Sequence, residues 1–173
     1  MVFKLKASLL FIAFSLLVSC GYTVGERGVK INDETYEKVA VPAFHNKTTE
    51  GGIEAYITKA LRQNIIEEGA FELTINKNAH LIIEGNVVGA GTEVLAIDRA
   101  GSATEYRLTM AIAYTVIDNV TGKNLFSDTI SSRWDYKYQA NSIDNRIARN
   151  DALENLSKEI ARDILMLLKA RYR

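Results

Sequence analysis

The sequence predicts an α/β fold: a two-layer sandwich with a mixed, largely antiparallel sheet of about four to five strands and two helices packed on one face. Three observations carry this. Residues 104–118 show the cleanest alternation in the chain, with an apolar side chain at every second position from Tyr106 to Val116, the mark of a long strand with one strongly apolar face. Residues 53–68 and 143–171 instead place apolar side chains every three to four positions, the period of a helix with one buried stripe. The order is strand, helix, four strands, helix, with no internal repeat and no low-complexity block.

Each element has its own signals. Lys38, Val39, Ala40, Val41, Pro42, Ala43 and Phe44 read as a strand, in which Pro42 cannot donate to a ladder and belongs at an edge or at the strand's end. Residues 46–52 form a loop in which Thr49 or a polar neighbour is expected to cap the following helix. That helix buries Ile53, Ile57, Leu61 and Ile65, widened by Tyr56 and Ala60, and Gly69 ends it. Phe71, Leu73 and Ile75 alternate with polar residues in a short strand, and Asn76, Lys77 and Asn78 turn the chain. A strand follows from Ala79 to Gly89 or beyond. Its centre, Leu81, Ile82 and Ile83, is apolar on both faces and so buried.

Residues 96–103 make an exposed hairpin loop. In the long strand after it, Tyr106, Leu108, Met110, Ile112, Tyr114 and Val116 share one face. Thr121 and Gly122 turn the chain into a last strand, residues 125–138, with Phe126, Ile130, Trp134, Tyr136 and Tyr138 on one side. Those aromatics either cover the hydrophobic layer beneath the helices or form a surface ring for a partner protein, where Tyr and Trp are favoured. The closing helix buries Ile147, Leu153, Leu156, Ile160, Ile164, Leu167 and Leu168 and spans roughly 40 Å, enough to cross a sheet.

The N-terminus predicts export and lipid attachment. Lys4 and Lys6 precede an apolar run over residues 7–18, shorter than the roughly 20 residues a spanning helix needs but suited to a signal peptide. The run ends in Leu17, Val18, Ser19 and Cys20, which resembles a lipobox. Small residues before the cut fit a peptidase pocket, and the thiol of Cys20 accepts diacylglycerol. Cys20 is the chain's single cysteine, so it has no disulfide partner within the chain. The expected organisation is a signal peptide over residues 1–19, a lipidated N-terminus and tether over 20–37 with a short strand near Tyr22, and one domain over 38–173. Gly21, where sorted lipoproteins retained elsewhere carry Asp, favours the outer membrane by resemblance.

Composition excludes several functions. The chain carries 21 basic and 21 acidic residues; loss of Lys4 and Lys6 with the leader leaves a net charge near −2. That is not the basic stripe of a nucleic-acid binder, and no nucleic-acid partner is expected. His45 and His80 lack further ligands at metal spacing, so no metal site is expected. The glycines at 85, 89 and 91 lack the Lys-Ser/Thr pair and the helix of a phosphate loop, and read as a strand bend or bulge. The sequons at Asn46 and Asn119 read as turns, and Glu67 and Glu68 as a solvated helix end. With no nucleophile elbow and no cofactor motif, the expectation is a protein that is not an enzyme and needs no cofactor.

In order along the chain, Cys20-Gly21-Tyr22, the Val39–Phe44 strand followed by Asn46 and Thr48, the helix over 53–66, the AHLIIEG segment at 79–85, Tyr106 onward into Asp118, Thr121 and Gly122, and Ala152, Leu156, Ile160 and Ile164 resemble the LptE family of lipopolysaccharide-assembly lipoproteins. The resemblance implies a lipid-anchored outer-membrane protein that plugs the β-barrel LptD, helps it assemble, and binds lipopolysaccharide itself. Its partners would be LptD, lipopolysaccharide and the membrane holding Cys20. Charge placement near loops and strand ends nominates Arg99, Arg107, Lys123, Arg133 and Lys137 as ligand-binding cations, each also readable as a solvated surface charge. The Val39–Phe44 strand and its helix also resemble periplasmic lipoproteins that regulate peptidoglycan synthases, and the first domain of TolB-like proteins. The alternative is therefore an envelope regulator or scaffold.

Overall fold

A computed structural model describes residues 27–138 and 141–172. The leader and Cys20 lie outside these residues, as does the short strand expected near Tyr22. The elements are β1 (Val29–Ile31), β2 (Glu34–Tyr36), β3 (Lys38–Ala40), β4 (His45–Asn46), α1 (Ile53–Glu68), β5 (Glu72–Leu73), a 3-10 turn (Asn76–Asn78), β6 (Leu81–Ile97), β7 (Ala103–Asp118), β8 (Lys123–Lys137) and α2 (Ser142–Arg171).

The main sheet runs β5-β3-β6-β7-β8, with β4 also paired to β6. β3 is parallel to β5 and β6, whereas β6, β7 and β8 form a long antiparallel meander. Both helices cover one face, giving the predicted two-layer α/β sandwich with six strands once the two-residue β4 is counted. Pro42 falls in the break between β3 and β4, where no ladder bond is needed.

The helices run parallel. Arg149 bonds Glu50 beside the start of α1, the Asn64 amide donates to the Lys158 carbonyl, and Lys169 meets Glu68 at its end, 2.5 Å away. Arg62 holds α1 to the sheet by donating twice to the Val41 carbonyl, at 2.9 and 2.7 Å. The buried interior joins Ile57, Leu61 and Ile65 of α1 with Leu156, Ile160, Ile164 and Leu168 of α2, over Leu81, Ile83 and Val87 of β6 and alternate residues of β7 from Leu108 to Val116.

Three expectations need correction. The tether over 20–37 is folded from Gly28 onward. β1 and β2 form a hairpin, closed by Asn32 and Asp33 at positive φ, that buries Val29, Ile31 and Tyr36 in the core. Helix α1 takes no side-chain cap: Gly52, at φ +83°, holds the N-cap position, and Thr48 and Glu50 belong instead to a loop organised by Asn46. In α2 the buried stripe starts at Ala152 and uses Leu165, while Ile147 and Leu167 face solvent. Period alone could not choose between Leu165 and Leu167, since both flank the stripe and only the position of α1 decides which is covered.

Candidate interaction surface

Toward the start of the helices, β6, β7 and β8 continue together as a three-stranded tongue. Fully buried positions on β7 begin at Leu108, which pairs with Thr92, so residues 93–97 of β6 project about 15 Å past the core. The tongue closes in a turn where Asp98 accepts from the Ala100 and Ser102 amides at 2.8 and 2.9 Å, and Gly101 supplies φ +84°. The expected bulge in the glycine run is present: the register slips between Val87 and Gly89. That slip exchanges the two faces of β6, so Val94, paired with Tyr106, lies on the helix side.

The helix-side face of the tongue stays apolar although little covers it. Val94 is 52% exposed, and near the start of α2 Ile143 and Ile147 are 56% and 52% exposed. Between them Tyr106 stacks on Tyr136, centroids 5.6 Å apart, and packs at a tilt on Tyr138 at 5.9 Å. The aromatic strand thus divides between its two readings. Phe126, Ile130 and Tyr136 pack on the core, whereas Trp134 and Tyr138, on the same face, stay partly exposed.

The opposite face of the sheet is polar and low in relief. Thr115 and Ser127 share a hydroxyl hydrogen bond of 2.9 Å, and Glu84, Asn86, Thr129 and His45 surround a shallow hollow there. Toward the tongue this face becomes a ladder of charges. Arg107 forms a bidentate pair with Asp135, both bonds 2.8 Å, which holds the Asp135 carboxyl below its ordinary range. Arg133 stands opposite Thr109, and Lys137 opposite Glu105.

Of the five nominated cations, the structure places Arg107, Arg133 and Lys137 on this face and Arg99 at the tip of the same tongue. Lys123 lies apart, beside the β7–β8 turn at the other end of the sheet. Arg107 is already neutralised by Asp135, so Arg99, Arg133 and Lys137 are the exposed positive groups near the tongue. Sequence reasoning missed the exposed apolar set of Val94, Leu95, Ile97, Ile143 and Ile147, because a stripe looks the same whether or not another element covers it. His80 proves structural: its Nδ1 accepts from the Glu37 and Lys38 amides at 3.1 and 3.4 Å. Among the described residues no helix is long and apolar enough to cross a membrane.

Comparison with solved structures finds the same fold in lipoproteins. Rare lipoprotein B from Shewanella oneidensis matches with a TM-score of 0.55 at 14% identity, covering 78% of this chain and 96% of that one. Lipoprotein B from Nitrosomonas europaea matches at 0.53 and 17% identity, covering 83% and 91%. A lipoprotein from Caulobacter crescentus matches at 0.54 and 15% identity, covering 75% and 90%. At such identities the likeness speaks for the fold alone. A search of curated protein sequences finds no match. The model of the family described as LptE, lipopolysaccharide-assembly, matches residues 36–168, which takes in every strand of the main sheet and most of α2. The chain belongs to the LptE family of lipopolysaccharide-assembly proteins.

Proposed function

We propose that this protein is an outer-membrane lipoprotein, acylated at Cys20, that occupies and helps assemble the LptD barrel and presents its tongue to lipopolysaccharide. The observation that carries the reading is the amphipathic tongue: an uncovered apolar face on one side, with the exposed cations Arg99, Arg133 and Lys137 at its tip and along the other. A phosphorylated, acylated sugar offers the complementary pair of surfaces. Acyl chains would lie on Val94 and the Tyr106–Tyr138 cluster, and phosphates would meet the guanidinium and ammonium groups. Binding of this kind needs displacement of water and charge neutralisation, and no bond is made or broken.

The polar sheet face supports the plug role. A protein lodged in a hydrated barrel needs a surface that tolerates water and close approach. Ala111, Ala113, Thr115, Ser127, Thr129 and Ser131 supply small and hydroxyl side chains along the centre of β7 and β8. The test is a mild-detergent pull-down of the lipidated protein from its own envelope, with mass spectrometry of what accompanies it. A stoichiometric large β-barrel is the expected result. A peptidoglycan synthase in its place would sink the transport reading in favour of an envelope regulator.

A further inference from the structure

The end of the molecule opposite the tongue holds a second charged feature, which the transport role leaves unused. Arg27, Lys30 and Lys169 line a cavity of about 560 Å³ floored by Val29 and Tyr172, with Glu37 as its one carboxylate among the described residues. The fold creates this convergence. β1 turns Val29 and Ile31 into the core, which leaves Lys30, opposite Thr35, on the outward side. The Gly28 amide donates to the Ala70 carbonyl at 2.5 Å, fixing the entry to β1 beside the end of α1. Lys169 arrives from the last turn of α2, where it and Arg171 offset the partial negative charge of the helix terminus. Glu68 draws on Lys169, so Arg27 and Lys30 are the two exposed cations left to face an anion.

We infer that this cavity takes the phosphate of an anionic phospholipid headgroup in the leaflet that holds Cys20. The inference rests on the reading of Cys20 as acylated. Arg27 lies seven residue steps after Cys20, a reach of at most about 25 Å, so the cavity stays near the headgroup layer. Acyl chains already retain the protein in the bilayer. A headgroup contact therefore adds orientation, setting the α1 and α2 termini toward the leaflet and the tongue away from it.

The test uses the mature chain carrying Cys20→Ser, which has no acyl chain, in flotation with phosphatidylcholine vesicles made with or without phosphatidylglycerol. Binding should require phosphatidylglycerol and fall as salt rises. Arg27→Gln and Lys30→Gln should each weaken it about fivefold, while Lys59→Gln, on the exposed side of α1, leaves it unchanged. Circular dichroism of each variant checks that the fold persists. Equal binding to both vesicles, or a double variant that binds as well as the parent, overturns the inference. So does binding of inorganic phosphate without binding to vesicles, which would make the cavity a site for free anions. Failure of the Cys20 reading would be seen separately, as the wild-type protein appearing in the soluble fraction.

Discussion

Replacing Asp118 by Ala should destabilise the domain by about 3 kcal/mol, and the structure says where that loss arises. The carboxylate is 5% exposed and accepts four hydrogen bonds. Oδ1 takes the Val120 and Thr121 amides at 2.9 and 3.2 Å, and Oδ2 takes the Thr121 hydroxyl at 2.6 Å and the Tyr36 hydroxyl at 3.1 Å. The turn donors can bond to water once the carboxylate is gone, so their loss is modest. The Tyr36 phenol is buried and spans 82 residues of sequence to reach Asp118, tying the β1–β2 hairpin to the sheet. A charge-assisted bond of that kind contributes about 1.5–3 kcal/mol, and an orphaned phenol adds a desolvation cost.

For a domain of this size the loss corresponds to a fall in Tm of about 6–12 °C. Urea and thermal unfolding of Asp118→Ala, Tyr36→Phe and the double variant measure it. Additivity of the two single losses within about 0.5 kcal/mol would refute the coupling, as would a single loss below that size. The pH dependence has a definite sign. Burial pushes the Asp118 carboxyl up, but the bonds from Thr121, Val120 and Tyr36 outweigh burial and hold it below its ordinary value. Its stabilisation is therefore complete above the unfolded pKa of about 3.9 and disappears as pH falls through the lower folded value. The difference between wild type and Asp118→Ala should shrink over that acid range and stay flat near neutrality.

Gly85→Ala should cost about 1–3 kcal/mol, since a Cβ there would sit 2.4 Å from the Phe44 Cε1 and 2.9 Å from the Ala113 oxygen. Phe44→Leu in the same chain should recover part of the loss in urea titration; no recovery would place the strain elsewhere. Leu156→Ala removes a fully buried side chain between the layers and should cost about 2–5 kcal/mol by the same assay. Trp134 is the chain's single tryptophan and is 37% exposed, so its emission should be quenched readily by acrylamide and protected when the tongue is covered by a partner. Exchange of both Arg99 and Arg133 for Gln should weaken lipopolysaccharide binding at low salt, with Tm unchanged; unaltered affinity would remove the tongue cations from the proposed site.

The element types are legible in the chain because their signals are local. Period-two alternation over residues 104–118 and the stripes of α1 and α2 depend only on neighbouring side chains, and Gly69 ends α1 in the left-handed conformation with its amide on the Ile65 carbonyl. The β1–β2 hairpin was harder to see. Three residues on either side of Asn32 and Asp33 give too short a run to show a period, although two such residues at positive φ are the usual chemistry of a tight hairpin.

Which apolar faces are covered depends instead on how the layers pack. The slip at Val88 reverses the parity of β6 and carries Val94 to the helix side, a shift no strict alternation anticipates. The covered part of α2 begins at Ala152, which leaves Ile143 and Ile147 open beside the tongue. Likewise Arg107 looks in the sequence like Arg133, and only the pairing of β7 with β8 brings Asp135 against one and leaves the other exposed. Burial and charge pairing are properties of residues far apart in the chain, so their outcome is set by how the layers meet.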